Sequence, residues 1–324
     1  MPELPEVETI ARELRPLVVG AVVREAWLDW PRQVKHPAPA AFLAGLGGRE
    51  ILDVTRRGKW LVLPLSGEAA LAIQVKMTGQ LFVLPVTTPR DRHVHFTAAF
   101  EDGRELRLRD VRKFARLGLY RRSEAGVLGA DEAVDLFAGF GPEPLDEALT
   151  LRRFRDLLRA RRGRLKPLLL DQSFLAGVGN IYADEALWRA RLHPLRRAAS
   201  LRPADERRLY GAVREVLEEA VRRRGSSIDD YTAPDGDGEM QHHLAVYQRT
   251  GQPCWRCGRR VRRIVLGARG THFCSWCQRL PAADRSEATA RLLQAARSRG
   301  RHGPRWSELP AGEGAVGARR AAGG

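Results

Sequence analysis

The apolar positions at the start of the chain fall on one face of a helix. In "MPELPEVETIARELRPLV", Val7, Ile10, Leu14 and Leu17 recur at helical spacing. Pro5 suits a first turn, and Glu6 and Glu8 suit the positive end of the helix dipole. Pro2 and Glu3 therefore stand just upstream of a helix N-terminus. From residue 20 to 120 the pattern becomes short runs such as "KWLVLPL", "LAIQVKM", "HVHFTAAF" and "RLGLYRR", divided by Gly, Pro and Asp turns, which predict a β-rich unit. Gly141, Pro142 and Pro144 punctuate a boundary, after which helical periodicity runs from Leu151 to about Arg224. Within it, "LKPLLLDQSFLAGVGNIYADEALWRARLHP" reads as a helix broken at "GVG", with Asn180 as N-cap and Asp184 and Glu185 in the first turn of the next helix. Such a helix, turn, helix unit is either a plain hairpin or a set of backbone N–H groups offered to a phosphate.

A polar, Gly-rich loop follows in "SSIDDYTAPDGDGEMQHHL", and loops of that length are often functional. Next come two CxxC knuckles, Cys254 with Cys257 and Cys274 with Cys277, separated by β-type and turn sequence. Each CxxC lets two thiolates from one tight turn reach a single ion, so the two turns fill a tetrahedral site and leave no position for an activated water. One structural zinc is expected. Beyond Pro281 the chain offers a short helix and then "AGEGAVGARRAAGG", which reads as disordered.

Charge narrows the choice of partner. Lys and Arg number 55 against 39 Asp and Glu, a net charge of +16 and a pI near 10.7, which points to a polyanion. The basic residues are spread along the chain rather than gathered in one tail, so the expected binding surface is folded. No apolar run approaches membrane-spanning length, and glutamates stand where a signal peptide would be basic, so a cytosolic protein with reduced cysteines is expected. Lysine is scarce: Lys35, Lys59, Lys76, Lys113 and Lys166 stand against fifty arginines. Where chemistry needs an amine that can lose its proton, arginine cannot substitute.

In this order the motifs "PELPEVE", "RRGKWLVL", "MTGQL", "DVRKF", "GPEPL", "LKPLLLDQ", "GVGNIYADEALW" with a following "HP", and "ARGTHFCSWCQ" resemble the bacterial formamidopyrimidine-DNA glycosylase (Fpg/Nei) family of base-excision repair enzymes over about residues 1 to 281. The resemblance implies an α+β multidomain protein: an N-terminal catalytic β-sandwich with a leading helix (1–145), a helix–two-turns–helix DNA-binding domain with a lesion-capping loop (146–240) and a zinc finger of ribbon type (241–281); the remaining 282–324, read from composition as a basic, disordered tail, has no family counterpart. The implied partner is damaged double-stranded DNA, bound by a cytoplasmic monomer. The implied activity is that of a bifunctional DNA glycosylase and AP lyase that excises oxidised purines through a Schiff base and then cuts the strand by β,δ-elimination.

The family motif also assigns roles. Removal of Met1, which a following proline permits, would leave Pro2 as a secondary amine, a good nucleophile toward a sugar C1′. Such an amine titrates near 8 (about 7.7–8.0 for an α-amino group), and the positive helix end disfavours its protonated form. Glu3 is implied as the acid/base partner, Glu6 as a further glutamate at the site, Lys59 as proton donor or phosphate ligand in the elimination, and Arg269 as the finger arginine that contacts phosphates around the lesion and assists the second elimination. Met77, Arg112 and Phe114 match the intercalating triad that fills the gap left by a flipped nucleotide. Lys166 and Asn180 match phosphate-holding positions, and His93 a DNA-contacting histidine. Four positions depart from the family pattern: Gln74 replaces a histidine, Val111 a proline, Lys113 an arginine and Ala115 a glycine. These bear on substrate choice rather than on reaction type. The competing readings are an endonuclease VIII-like enzyme for oxidised pyrimidines, against which "PELPE" speaks, and a zinc-ribbon DNA-binding protein without catalysis.

Overall fold

The computed structural model describes residues 2–123, 126–128, 135–226 and 238–299. Helix α1 (Leu4–Val18) opens with Pro5 in its first turn, and the Glu6 carboxylate accepts the Glu3 backbone N–H at 2.8 Å, closing one half of a capping box. Two sheets follow. The first is antiparallel in the order β1 (Val23–Leu28), β7 (Val94–Phe100), β8 (Arg104–Asp110), β6 (Gly79–Pro85). The second runs β10 (Gly126–Leu128), β9 (Arg116–Ser123), β5 (Ala69–Gln74), β4 (Trp60–Leu65), β3 (Thr55–Arg57), with β2 (Val34–His36) added parallel to β9. A short helix α2 (Pro39–Ala44), which the β-type runs did not predict, buries Phe42 against this unit.

The sheets face each other across one core. Leu61, Leu63, Leu71 and Ile73 from the second sheet meet Phe96, Phe100, Leu106 and Leu108 from the first, and Val7, Ile10, Leu14 and Val18 of α1 complete the cluster. Strand β4 reads as an unbroken apolar run because both of its faces are covered: Trp60 and Val62 point away from the sandwich into a second cluster with Tyr120, Phe137 and Phe140.

The helical unit contains α3 (Leu151–Arg159), α4 (Leu165–Leu170), α5 (Asn180–Arg189) and α6 (Pro203–Arg222) around Phe154, Phe174, Tyr182, Leu187 and Val216. Leu4 belongs to this cluster, whereas Val7 belongs to the sandwich, so α1 is shared between the two cores. The expected cap of α5 shifts by one residue: Gly179 is the N-cap and Asn180 the first helical residue. Asp184 and Glu185 accordingly sit in the second turn, and both turn toward the finger.

The finger hairpin pairs β11 (Arg262–Leu266) with β12 (Arg269–Phe273). Its two-residue turn has φ of 56° at Gly267 and 59° at Ala268, the left-handed pair that matches strand twist and places Arg269 at the tip. The expectation of a disordered tail from 282 is corrected for 282–299. A 3-10 turn at Ala282–Asp284 leads into α7 (Glu287–Arg299), whose Leu292 and Leu293 pack on Leu195, Ile264, Phe273 and Leu280. Most of the expected lesion-capping loop and residues 300–324 lie outside the described residues. Among the described residues no helix is long and apolar enough to cross a membrane.

His193, of the "HP" motif, joins the helical unit to the finger. It is buried, its Nδ1 accepts the Leu195 N–H at 3.1 Å, and its ring lies edge-on to Phe273 at 4.6 Å. Burial lowers its pKa to about 3. An unfolded chain takes up this proton near 6.5, before the folded one does, so the stability that the neutral ring contributes is complete above 6.5 and is lost as pH falls from there toward 3. Between pH 6.5 and 5.5 this should remove about 1 kcal/mol of unfolding free energy. Urea titrations across that range should show a flatter pH dependence for His193→Gln than for the unaltered protein; parallel slopes would show that His193 does not titrate in this way.

Candidate active site

The cleft is built where α1 enters the helical unit. The Glu3 carboxylate accepts the backbone N–H groups of Ile181 at 2.8 Å and Tyr182 at 3.3 Å, both in the first turn of α5. These two backbone N–H groups are thus taken by the protein's own carboxylate, so of the two alternatives the phosphate-facing one loses both donors. The "GVG" break makes room for this contact. A Cβ at Gly179 would fall inside the Glu3 carboxyl, and one at Gly177, where φ is +88°, would come within 2.8 Å of the Leu4 Cβ. Leu4 in turn donates its N–H to the Gly177 carbonyl at 3.0 Å. Gln172 shapes the turn by accepting the Gly177 N–H at 2.9 Å and donating to the carbonyls of Leu170 and Val178.

Glu6 does not line the cleft. One carboxylate oxygen accepts the Glu3 N–H, and the other accepts the Tyr182 hydroxyl, the Ser226 N–H at 2.8 Å and the Ser226 hydroxyl at 3.2 Å. Gly225, at φ +75°, leaves space for it. Both buried oxygens of Glu6, the further glutamate expected at the site, are occupied in holding the start of α1. Tyr182 keeps its proton for this purpose, since burial and then the neighbouring Glu6 and Glu3 charges raise its pKa well above 10.

A cavity of about 510 Å³ is lined by Glu3, Lys59, Met77, Asn180 and Arg269. Pro2 is buried beside Glu3 at the start of α1. Burial raises the Glu3 pKa and the Glu6 charge adds to this, while the Lys59 ammonium and the two α5 N–H groups oppose it. Burial likewise lowers the Lys59 pKa, with Glu3 and Glu6 opposing and Arg269 adding to the fall. Both groups are thereby moved toward neutrality, as proton transfer near pH 7 requires. Lys59 is presented by the turn between β3 and β4, which Glu143 of "GPEPL" clamps: its carboxylate accepts Arg56 at 2.6 Å, Arg57 at 2.9 Å and the Gly58 N–H at 2.6 Å.

The triad is assembled at one edge of the cleft. The Arg112 guanidinium lies 4.7 Å from the exposed Phe114 ring and its Nη1 is 3.5 Å from the Met77 sulfur. Buried Asp110 braces this loop, accepting the Thr78 hydroxyl at 2.5 Å and the backbone N–H groups of Arg112 at 3.3 Å and Ala115 at 2.7 Å. Lys113, at φ +57°, lays its ammonium 4.5 Å from the Trp30 ring. His93 stands on the same edge, its carbonyl accepting the Asp110 N–H at 2.8 Å.

Asn180 faces the cavity with its Oδ1 unpartnered among the described residues. Lys166 does not reach it. Fully buried, its ammonium donates to Asp184 at 2.6 Å and to the Asn180 carbonyl at 2.8 Å. The expected phosphate contact of Lys166 is therefore corrected to support of Asn180. Two cavity residues carry no assigned role from the sequence. Gln74 presents an unpartnered Oε1, and Lys76, held at φ +58°, has its pKa lowered to about 8 by burial and by the nearby Arg116 and Lys59 charges. The scarcity of lysine was the one signal that pointed at Lys76.

The four cysteine sulfurs all lie within 4.8 Å of one another, with Cys257 and Cys274 3.5 Å apart. A tetrahedral zinc with thiolate bonds of about 2.3 Å needs sulfur–sulfur edges of about 3.8 Å, so the set fits one structural ion. Trp188 of α5 donates its indole N–H to Cys254 at 3.4 Å. The finger is also held by Asp184, which accepts the His272 N–H at 2.9 Å, and by Glu185, which accepts the N–H groups of Ala245, Val246 and Tyr247.

The chain matches known proteins over most of its length. Residues 1–117 match the formamidopyrimidine-DNA glycosylase N-terminal domain, 140–232 the formamidopyrimidine-DNA glycosylase H2TH domain, and 251–280 the zinc finger found in FPG and IleRS. The chain is 45% identical over 281 residues to the formamidopyrimidine-DNA glycosylase of Roseiflexus sp. (strain RS-1), covering 86% of this chain and 100% of that protein. The crystal structure of the MutM (Fpg) protein from Thermus thermophilus is 45% identical with a TM-score of 0.75, covering 86% of this chain and 98% of that one. A complex between the Lactococcus lactis Fpg and an abasic site containing DNA is 36% identical with a TM-score of 0.78, covering 86% and 100%.

Because Gly179 touches the Glu3 carboxyl, Gly179→Ala should displace it and destabilise the fold by about 1–3 kcal/mol. Gly139→Ala, where an added Cβ meets nothing within 4 Å, is the control and should leave stability nearly unchanged. Equal midpoints for the two variants in chemical unfolding would mean that the carboxylate seat is not tight.

Proposed function

We propose, from the premise that this chain belongs to the formamidopyrimidine-DNA glycosylase family, that it is a bifunctional DNA glycosylase and AP lyase of base-excision repair in which Pro2 is the nucleophile. The observation that carries this reading is the convergence of Glu3 and Lys59 on one cavity, with buried Pro2 next to Glu3 in the chain. Once Met1 is removed, the Pro2 nitrogen attacks C1′ of the damaged nucleotide. The N–C1′ bond forms as the glycosidic bond breaks, and the base leaves with the electron pair. Opening of the sugar ring, with a proton delivered to the ring oxygen, gives the iminium. Glu3, raised by burial, supplies and accepts protons at the ring oxygen. Lys59 serves the eliminations that follow, as a proton donor or by holding the departing phosphate, and Arg269 contacts the phosphates from the finger side.

Holding the DNA falls to the other groups. Met77, Arg112 and Phe114 fill the space vacated by the flipped nucleotide, His93 supports the same edge, and Asn180 contacts a backbone phosphate with its side-chain amide. The net positive charge suits a duplex partner, and a cytoplasmic site of action belongs to the same reading.

Borohydride should trap Pro2 covalently on abasic-site DNA. A variant that retains Met1, or carries a residue fused before Pro2, should form no adduct; an adduct at the normal rate would assign the reaction to another amine such as Lys59. Glu3→Gln should slow base removal more than it slows trapping on a site that is already abasic.

The lesion class proposed is oxidised purine, 8-oxoguanine and ring-opened formamidopyrimidines, paired with cytosine. The donors of the Arg112 guanidinium suit the acceptor edge of cytosine, O2 and N3, better than adenine, whose exocyclic amine is itself a donor. Such discrimination amounts to about 1–3 kcal/mol, or roughly five- to 150-fold in rate. Duplexes carrying 8-oxoguanine opposite each base should therefore be cleaved faster opposite cytosine than opposite adenine. Equal rates would remove Arg112 from this role, and faster release of thymine glycol or dihydrouracil would favour an endonuclease VIII-like preference.

A further inference from the structure

The residues after 280 lie beyond the three matching family domains, the last of which ends there. They nevertheless make a folded connection between two parts of the molecule. Asp284 is buried and accepts the Ser200 hydroxyl at 2.7 Å and the Arg197 N–H at 3.4 Å, both from the helical unit. Ser286 caps α7, its hydroxyl accepting the Thr289 N–H at 3.3 Å. Thr289, buried, accepts Arg164 at 3.2 Å. One turn further, Leu292 and Leu293 pack on the cluster of Ile264 and Phe273 of the hairpin with Leu195 and Leu280.

The face that α7 covers has a direct link to the cleft. Ile264 and Leu266 lie on one face of β11, since alternate residues share a face, and Leu266 is the cross-strand partner of Arg269. On the other side the finger is tied to α5 through Asp184, Glu185 and Trp188. The hairpin that carries Arg269 is therefore gripped between α5 and α7.

We propose that residues 282–293 are a brace that fixes the zinc finger against the helical unit, and that Leu292 and Leu293 are positioning residues for Arg269. The brace makes retention of the zinc and the setting of the hairpin depend on α7 as well as on the four cysteines. The part of the proposal that concerns Arg269 rests on the role given to that residue above; the part that concerns the metal and the hairpin does not.

Three readouts on the full-length chain test it. In the unaltered protein, hydrogen exchange at 289–293 and at the β11–β12 amides should be protected together, and a zinc chelator should release both together. Leu292→Asp with Leu293→Asp should release zinc to a colorimetric chelator at least about tenfold faster, with Leu292→Ala intermediate and the exposed Arg291→Ala unchanged. Binding to a duplex with a stable abasic analogue should weaken about tenfold in the double variant and hardly further when Arg269→Ala is already present. Unprotected amides at 289–293, or unchanged zinc release, would overturn the brace. Equal weakening with and without Arg269 would overturn the positioning role and show that the segment meets DNA itself. A failure of borohydride trapping would leave the zinc and exchange results to decide the brace independently.

Discussion

The carboxylate of Glu3 on the first turn of α5 is the contact on which the rest of the cleft depends. Unpaired backbone N–H groups and the helix dipole make a helix start a ready anion site. Here the anion comes from the other domain of the same chain. Burying an isolated carboxylate costs several kcal/mol, and that cost is offset only because two N–H groups and the Lys59 ammonium surround it. The contact therefore exists only when α1 is fully inserted. Leu4 in the helical core, Glu6 on Tyr182 and Ser226, and the close approaches at Gly177, Gly179 and Gly225 all enforce that insertion.

Helix α5 passes the same constraint along the molecule. Its first turn takes Glu3, its second turn takes Lys166 and the finger through Asp184 and Glu185, and its end takes the Cys254 knuckle through Trp188. A ten-residue helix thus sets the distance between the N-terminal amine, the cavity-facing Asn180 and the finger arginine. The proposed chemistry brings these groups to one sugar, although they come from three parts of the sequence. On the sandwich side, Asp110 and Glu143 do the equivalent work for the Arg112 loop and the Lys59 turn, each by gathering donors that a short loop would otherwise leave unpaired.

The sequence made the modules legible because their signals are local. Helical spacing in α1, short β runs between turns, and paired CxxC knuckles each need only a few neighbouring residues to be recognised. The same is true of the motifs that suggested Pro2, Glu3 and the four cysteines. What could not be read was which charges face the cleft and which face each other. Lys166 and Glu6 matched family site positions, and each is buried on a partner from another element, Asp184 of α5 for one and Tyr182 with Ser226 for the other. Asp110 carried no role in the sequence, and its task emerges only once Thr78 is folded beside it. The composition of 282–299 is polar enough to read as a tail, yet two leucines one turn into a capped helix suffice to dock it on an existing apolar patch.

The central claim, that Glu3 joins the two domains through the start of α5, is tested most directly by amide hydrogen exchange at Ile181 and Tyr182. Glu3→Ala should speed exchange at these two amides at least about tenfold while amides in β4 and β5 keep their protection, because only the α5 start loses its acceptor. Unchanged exchange at Ile181 and Tyr182 would contradict the joint, and with it the placement of every group described in the cleft.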